Sequence, residues 1–187
     1  LVNTCVTAAY IQPKPLRSLC RVLDACHVDL KAFDEGFYRR VNGATLQPVL
    51  DALVILREEG VWIEITNLMI PTLNDDLAMI RSMARWVRDR LGAQTPLHFS
   101  RFQPLYRMRN LPPTPTESLE RAQREAQDAG LEYVYVDNVL GHAGNSTRCP
   151  RDGTTLIRRV GFMVVENRLT ADGRCPTCNQ SIPGVWK

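Results

Sequence analysis

The stretch TLQPVLDALVILREEGVWIEIT, residues 45–66, decides the fold. Its first part sets Leu46, Val49, Leu50, Leu53 and Leu56 three and four residues apart, the spacing of a single helix face. Gly60 follows where helices commonly stop. Residues Val61–Thr66 then read as a strand. The same grammar extends in both directions. Further strands are expected at Val2–Thr7, Ala25–Leu30, Pro96–Phe99 and Leu131–Val136. Helical patterns run from about Pro15 to Leu23, from a cap candidate at Asn74 through Leu77, Ile80, Ala84, Val87 and Leu91 to Gly92, and from about Thr116 through Leu119, Ala122 and Ala126 to Gly130. Strands separated by single helices imply parallel βαβ units. Five strands with four crossovers fit either an open doubly wound sheet or part of a barrel, and periodicity does not choose between them.

The pattern changes near residue 145. Gly141 to Asn145 reads as a loop, followed by Cys149-Pro150-Arg151-Asp152-Gly153, a hairpin-like stretch through Val165, and Cys175-Pro176-Thr177-Cys178. Two units are expected, 1–144 and 145–187. Residues 141–187 carry seven Lys or Arg against three acids, which leaves the first 140 residues near −1 within a net charge of +3. So small a total does not argue for nucleic acid. Hydrophobic residues make up 44% of the 187 and charged residues 23%, ordinary globular values. No apolar run approaches the roughly 20 residues that span a bilayer, so a soluble protein with no membrane partner is expected. A chain that opens at Leu1 directly into the apolar stretch 2–9 reads as part of a longer one.

In parallel α/β folds, ligands gather at the carboxyl ends of the strands. The second strand ends His27-Val28-Asp29-Leu30-Lys31, with Asp29 and Lys31 leaving the same face of extended backbone. A carboxylate beside an ammonium suits a zwitterionic ligand bearing hydroxyls; the plainer reading is a local ion pair at a strand exit. The fourth strand ends His98-Phe99-Ser100-Arg101, where His98 is either a ligand contact or a hydrogen-bonded structural histidine. Glu64, in mid-strand, either lines a polar lumen or pairs with a neighbouring cation. The fifth strand ends Asp137-Asn138.

Six cysteines fall at 5, 20, 26, 149, 175 and 178. Cys5, Cys20 and Cys26 lack cluster-ligand spacing and read as small buried hydrophobes. No C-x3-C-x2-C motif is present. Cys175-Pro-Thr-Cys178 is a metal-binding knuckle. Its upstream counterpart would read C-P-x-C-G, and here Asp152 stands at the second thiolate position. Carboxylate is a legitimate zinc ligand, so Cys149, Asp152, Cys175 and Cys178 form a candidate zinc set, with rubredoxin-like iron as the alternative. A ribbon that has lost its metal and is held only by packing also stays open.

The stretches VDLKAF (28–33), GVWIEITNLMIPTLNDD (60–76), PLHFSRFQP (96–104), LPPTP (111–115), GLEYVYVDNV (130–139), GFMVVENRL (161–169) and CPTCNQSIPGVW (175–186) cover nearly the whole chain in order. Through them the chain resembles the AmmeMemoRadiSam-system radical S-adenosylmethionine (SAM) enzymes, relatives of the pyruvate formate-lyase activating enzymes. The resemblance implies a partial (β/α) barrel of the radical SAM type with a small C-terminal zinc-ribbon-like module. It implies SAM and a [4Fe–4S] cluster as cofactors, the cluster ligands lying upstream of this segment, and reductive cleavage of SAM to a 5′-deoxyadenosyl radical. By position it assigns Asp29, Lys31 and His98 to SAM. Departures are Ala8 and Ala9 where Asn and Gly are usual, Thr72 where Gly is usual, and Asp152. A cytoplasmic location is expected from the oxygen sensitivity of such clusters. The competing expectation is a non-catalytic α/β module whose basic metal ribbon binds a protein or nucleic-acid partner.

Overall fold

The computed structural model describes residues 1–186. Five strands form one sheet: β1 (Thr4–Thr7), β2 (Ala25–Asp29), β3 (Trp62–Met69), β4 (Leu97–Arg101) and β5 (Val134–Asp137). Every pairing is parallel, and the spatial order is the chain order. Each crossover therefore steps in the same direction. Because such crossovers are right-handed, their helices all cover one face. These are α1 (Pro13–Cys20), α3 (Gln47–Glu58), α4 (Leu77–Leu91) and α5 (Thr116–Asp128), with a short α2 (Glu35–Phe37) after β2. Consecutive crossover helices pack on one another, and the covered face buries Cys26, Val28, Ile63, Ile65, Leu97, Phe99, Val134 and Val136. A doubly wound order is thereby excluded.

The helix signals hold in detail. In α3 the predicted stripe residues Val49, Leu50, Leu53 and Leu56 are buried, while Leu46 stands at the N-terminal cap, partly buried. Gly60 takes φ +77° and closes the helix, with the Gly60 N–H donating to Arg57 O and the Val61 N–H to Leu56 O. Truncating a fully buried leucine such as Leu53 to Ala would cost about 2–5 kcal/mol.

Two features differ from expectation. The cap of α4 is Asp76, whose carboxylate accepts the Met79 N–H at 2.8 Å. Asn74, expected there, turns inward instead, because backbone groups of neighbouring segments meet it. The second is the segment after β2, which periodicity leaves blank. It forms α2 and then a π-helical turn, Tyr38–Asn42, too short for a hydrophobic period to register.

Beyond β5, a three-stranded antiparallel sheet is built from β6 (Thr147–Arg148), β7 (Thr155–Val160) and β8 (Met163–Asn167). Its core joins Cys149, Leu156, Ile157, Cys175 and Ile182 to Tyr133, the residue before β5. It is thus packed against the larger sheet. Among the described residues no helix is long and apolar enough to cross a membrane.

Ala9 and Thr72 occupy the left-handed region, with φ +52° and +67°. These are the two sites where the resembled family carries glycine. The conformation costs a non-glycine residue roughly 1–2 kcal/mol. A glycine substitution gives back part of that through its greater unfolded-state freedom. Thr72 is exposed, and its backbone N–H already donates to Asp75 Oδ1 at 2.8 Å, a contact glycine keeps. Thr72→Gly is therefore expected to raise stability by about 0.5–1 kcal/mol. A denaturant melt showing a lowered midpoint would refute the strain.

Candidate functional site

The face of the sheet opposite the helices is polar. Strands β2 to β5 each alternate apolar and polar residues, with the same parity across the sheet: Cys26-His27-Val28-Asp29, Ile63-Glu64-Ile65-Thr66, Leu97-His98-Phe99-Ser100 and Val134-Tyr135-Val136-Asp137. The apolar members go under the helices and the polar members share the other face. That face is concave. The rings of His27 on β2 and His98 on β4 lie 5.6 Å apart, although β3 separates their strands. A flat sheet would hold strands two apart at about 9.6 Å.

His98 sits at the middle of this face. Its Nδ1 meets Asp137 Oδ2 at 2.8 Å, and its Nε2 faces Glu64 Oε2 at 3.3 Å in an ion-pair contact outside hydrogen-bond geometry. The Tyr135 ring stacks on it at 4.7 Å and 21°. Burial alone would push the His98 pKa down. The Asp137 hydrogen bond and the close carboxylates of Asp137 and Glu64 outweigh it and raise the value to about 9. The His98 contact in turn holds Glu64 down at about 2, with the Trp62 indole N–H also reaching its Oε1 at 3.2 Å. His27 goes the other way. Burial, and then the neighbouring His98 charge, lower its pKa, while its Nε2 pairs with Thr66 Oγ1. One imidazole is thus held cationic and the next neutral. They share a cavity of about 320 Å³ with Glu64, Tyr135, Asp137 and, from the C-terminal sheet, Asn145, Arg159, Gly161 and Phe162.

Asp29 and Lys31 lie at the carboxyl end of β2. Asp29 stands in the cross-strand row of Thr66 and His98. The two side chains pair at 2.6 Å, each about one-third exposed, and neither lines the His98 cavity. The Lys31 backbone is fixed from three sides. Its N–H donates to Tyr38 Oη at 3.2 Å, and its carbonyl accepts from Asn67 Nδ2 at 3.1 Å and Asn74 Nδ2 at 2.6 Å. Asn67 also donates to Leu30 O. Tyr38, Asn67 and Asn74 are all buried, so the β2 exit is rigid. The LPPTP stretch does similar work nearby. Its buried Thr114 donates to Met69 O and accepts the Phe102 N–H at 3.0 Å.

Sequence reasoning singled out Asp29, Lys31 and His98. It left Glu64 open and missed the roles of His27, Tyr135, Asn67 and Asn74. The legible signal was the alternation of polar residues in four consecutive strands, which a lumen with ordinary apolar filling would not carry.

At the far end of the C-terminal sheet, Cys149, Asp152, Cys175 and Cys178 offer donor atoms that all lie within 4.8 Å of one another and could hold a metal ion. Cys149 Sγ is 3.5 Å from Cys178 Sγ, and Cys175 Sγ is 3.5 Å from Asp152 Oδ2. A tetrahedral zinc with thiolates at about 2.3 Å spaces its donors roughly 3.8 Å apart. Asp152 Oδ1 accepts the Thr154 N–H at 2.9 Å, which aims Oδ2 into the set. The other thiols lie elsewhere. Cys5 and Cys26 face each other across β1 and β2 with sulfurs 3.2 Å apart, on the helix-covered side of the sheet. They cannot join a site on the concave face.

No family model matches the chain. An uncharacterised protein of Methanocaldococcus jannaschii is 42% identical over 183 residues, covering 97% of this chain and 54% of the relative. The chain thus spans about half the length of the curated relative it matches. Among solved structures it is similar to a domain of pyruvate-formate lyase-activating enzyme from Bacteroides vulgatus, with TM-score 0.62 and 15% identity over 74% of this chain and 82% of that one. A radical SAM methyltransferase from Sphaerobacter thermophilus gives 0.58 and 16% over 73% and 40%. TYW1 with a lysine-pyruvate adduct bound gives 0.51 and 14% over 74% and 44%. The likeness is one of fold.

The His98 pKa, raised from 6.5 to about 9, has a signed consequence. Its contribution to stability is fully present below about pH 6.5 and lost as pH rises through 9. The change amounts to at most about 3 kcal/mol. Denaturant melts from pH 6 to 10 should therefore show a decline that His98→Gln flattens, and an equal slope in the variant would remove the imidazolium from the site.

Proposed function

We propose that this chain is part of a radical SAM enzyme and that its concave face receives SAM. The observation that carries the reading is the rigid β2 exit, where Asp29 and Lys31 stand ready at the carboxyl edge of a radical-SAM-type sheet. In the unliganded protein the two charges satisfy each other. A ligand bearing an ammonium and a carboxylate exchanges that pair for two, with Asp29 taking the ammonium or a ribose hydroxyl and Lys31 the carboxylate. Because the backbone is locked, the exchange costs little ordering. His98 lies farther along the same face and, as a cation between carboxylates, offers the ligand a ring edge and its two flanking acids.

A [4Fe–4S] cluster would supply the electron that cleaves the sulfonium. The cysteines described above do not fit one on this face, so its ligands belong to sequence outside these residues. Among the described residues the outer edge of β1 has no partner, and Val2 and Val6 are exposed, which suits a further strand there. The concave cavity, roofed by the C-terminal sheet, would keep water from a reactive intermediate. The substrate that loses hydrogen is a matter for that wider protein, and the oxygen sensitivity of such a cluster supports a cytoplasmic location for it. The alternative of a non-catalytic binding module has no comparable site to support it.

We assign zinc to the Cys149, Asp152, Cys175 and Cys178 set, on the tetrahedral spacing and the three thiolates. The unit 145–187 is then a ribbon whose metal ties together its two knuckles.

In the cluster-loaded polypeptide, Asp29→Ala and Lys31→Ala should each weaken SAM binding by roughly tenfold, about 1.4 kcal/mol, without changing the visible spectrum of the cluster. Unaltered calorimetric affinity in both would end the assignment. For the ribbon, elemental analysis should return one zinc per chain, and competition with a chromophoric chelator should show Asp152→Ala holding it at least about tenfold more weakly while Asp152→Cys retains it. Zinc affinity untouched by Asp152→Ala would leave the carboxylate out of the set.

A further inference from the structure

We infer that Tyr135 is a positioning residue for His98, and that the C-terminal sheet, by gripping the Tyr135 hydroxyl through Thr147, dictates the state of the concave site. Tyr135 and His98 are direct cross-strand neighbours on β5 and β4. Their rings are nearly parallel at 4.7 Å, so an imidazolium lies over an aromatic face. The far end of the tyrosine leads away from the five-stranded sheet. Its Oη meets Thr147 Oγ1 at 3.1 Å. Thr147 is on β6, only 4% exposed, and its hydroxyl oxygen also accepts from Arg159 Nη1 of β7 at 2.9 Å. Arg159 Nη1 reaches Asn145 O at 3.3 Å as well. Arg159 thus ties the Thr147 hydroxyl to the Asn145 carbonyl, and the atom that meets the tyrosine tip is itself held from β7.

The consequence is steric and electrostatic together. With its tip fixed, the Tyr135 ring cannot turn away, and it closes one side of the slot that holds His98 between Glu64 and Asp137. The charged and titratable groups facing His98 are His27 from β2, Glu64 from β3, Tyr135 and Asp137 from β5, and Arg159 from β7, with Asp29 and its partner Lys31 beyond His27. Of these, Tyr135 is the one on the five-stranded sheet that hydrogen-bonds the buried Thr147, whose hydroxyl Arg159 holds from the other side. The inference stands on these contacts and is independent of whether the ligand is SAM.

The test uses the chain as it is, whose only histidines are His27, His98 and His142. Imidazole nitrogen–proton spectra then resolve each ring, with His142, held by Glu120, as an internal reference. Thr147→Val removes the hydroxyl and keeps the shape. It should move the His98 resonances and lower its titration midpoint by roughly half a pH unit, the size of a weakened cation–π contact. Tyr135→Phe should do the same, the double variant should show no additional shift, and Thr147→Ser should restore the original midpoint. His98 resonances and midpoint unchanged in folded Thr147→Val and Tyr135→Phe overturn the inference. So does a Thr147→Val shift that Thr147→Ser fails to reverse, which would assign the effect to packing. If Thr147→Val does not fold, Tyr135→Phe and Thr147→Ser still decide it: the inference needs a shift in the first and none in the second.

Discussion

Five parallel strands laid down in chain order, with right-handed crossovers, can cover only one face of their sheet with helices. The opposite face must therefore be satisfied by its own side chains. In this chain they are polar: two imidazoles, three carboxylates, a threonine, a serine and a tyrosine. Leaving such groups buried without partners would cost a few kcal/mol each. The arrangement that results pairs nearly all of them, with His98 between Glu64 and Asp137 and His27 on Thr66. The unusual protonation states follow from that pairing. A cation held by two acids and a neutral ring beside it need no special device beyond their placement on a concave surface.

The second organising element is the locking of the β2 exit. Buried asparagines are rarely placed without reason, because each amide demands several partners. Asn67 and Asn74 spend theirs on the carbonyls of Leu30, Lys31 and Leu68, and the π-helical turn brings Tyr38 to the Lys31 N–H. A flexible lysine is thereby mounted on an inflexible peptide. The C-terminal sheet adds a third constraint from outside the five-stranded sheet. Its hairpin apex, with Phe162 95% exposed, reaches the His98 cavity, while its own core takes in Tyr133. The small unit is part of the wall of the site.

Much of this was legible beforehand, and the exceptions share a cause. Helices α3, α4 and α5 announced themselves because an apolar stripe at helical spacing and a terminal glycine are local properties. The parallel strands followed from their alternation with helices. Asn74 was misread as a cap because a polar residue before an apolar run usually is one, and only the arrival of β2 backbone makes an inward turn profitable. Tyr38 was invisible because one helical turn carries no period. Glu64 and Asp137 could be seen as polar residues in strands, but their meeting with His98 depends on register across strands that lie 34 and 39 residues from it.

By itself, then, the sequence determined the elements, their parallel connection, the polar stripe on four strands and the four-residue metal-ligand pattern with its aspartate. These are set by neighbours a few residues apart. Only the tertiary structure decided the singly wound strand order, which rings touch, that Asp29 and Lys31 neutralise each other, and that Asn145, Arg159 and the hairpin apex at Gly161 and Phe162 reach the site. Those outcomes depend on which distant surfaces exclude water from one another, and periodicity along a chain carries no record of that.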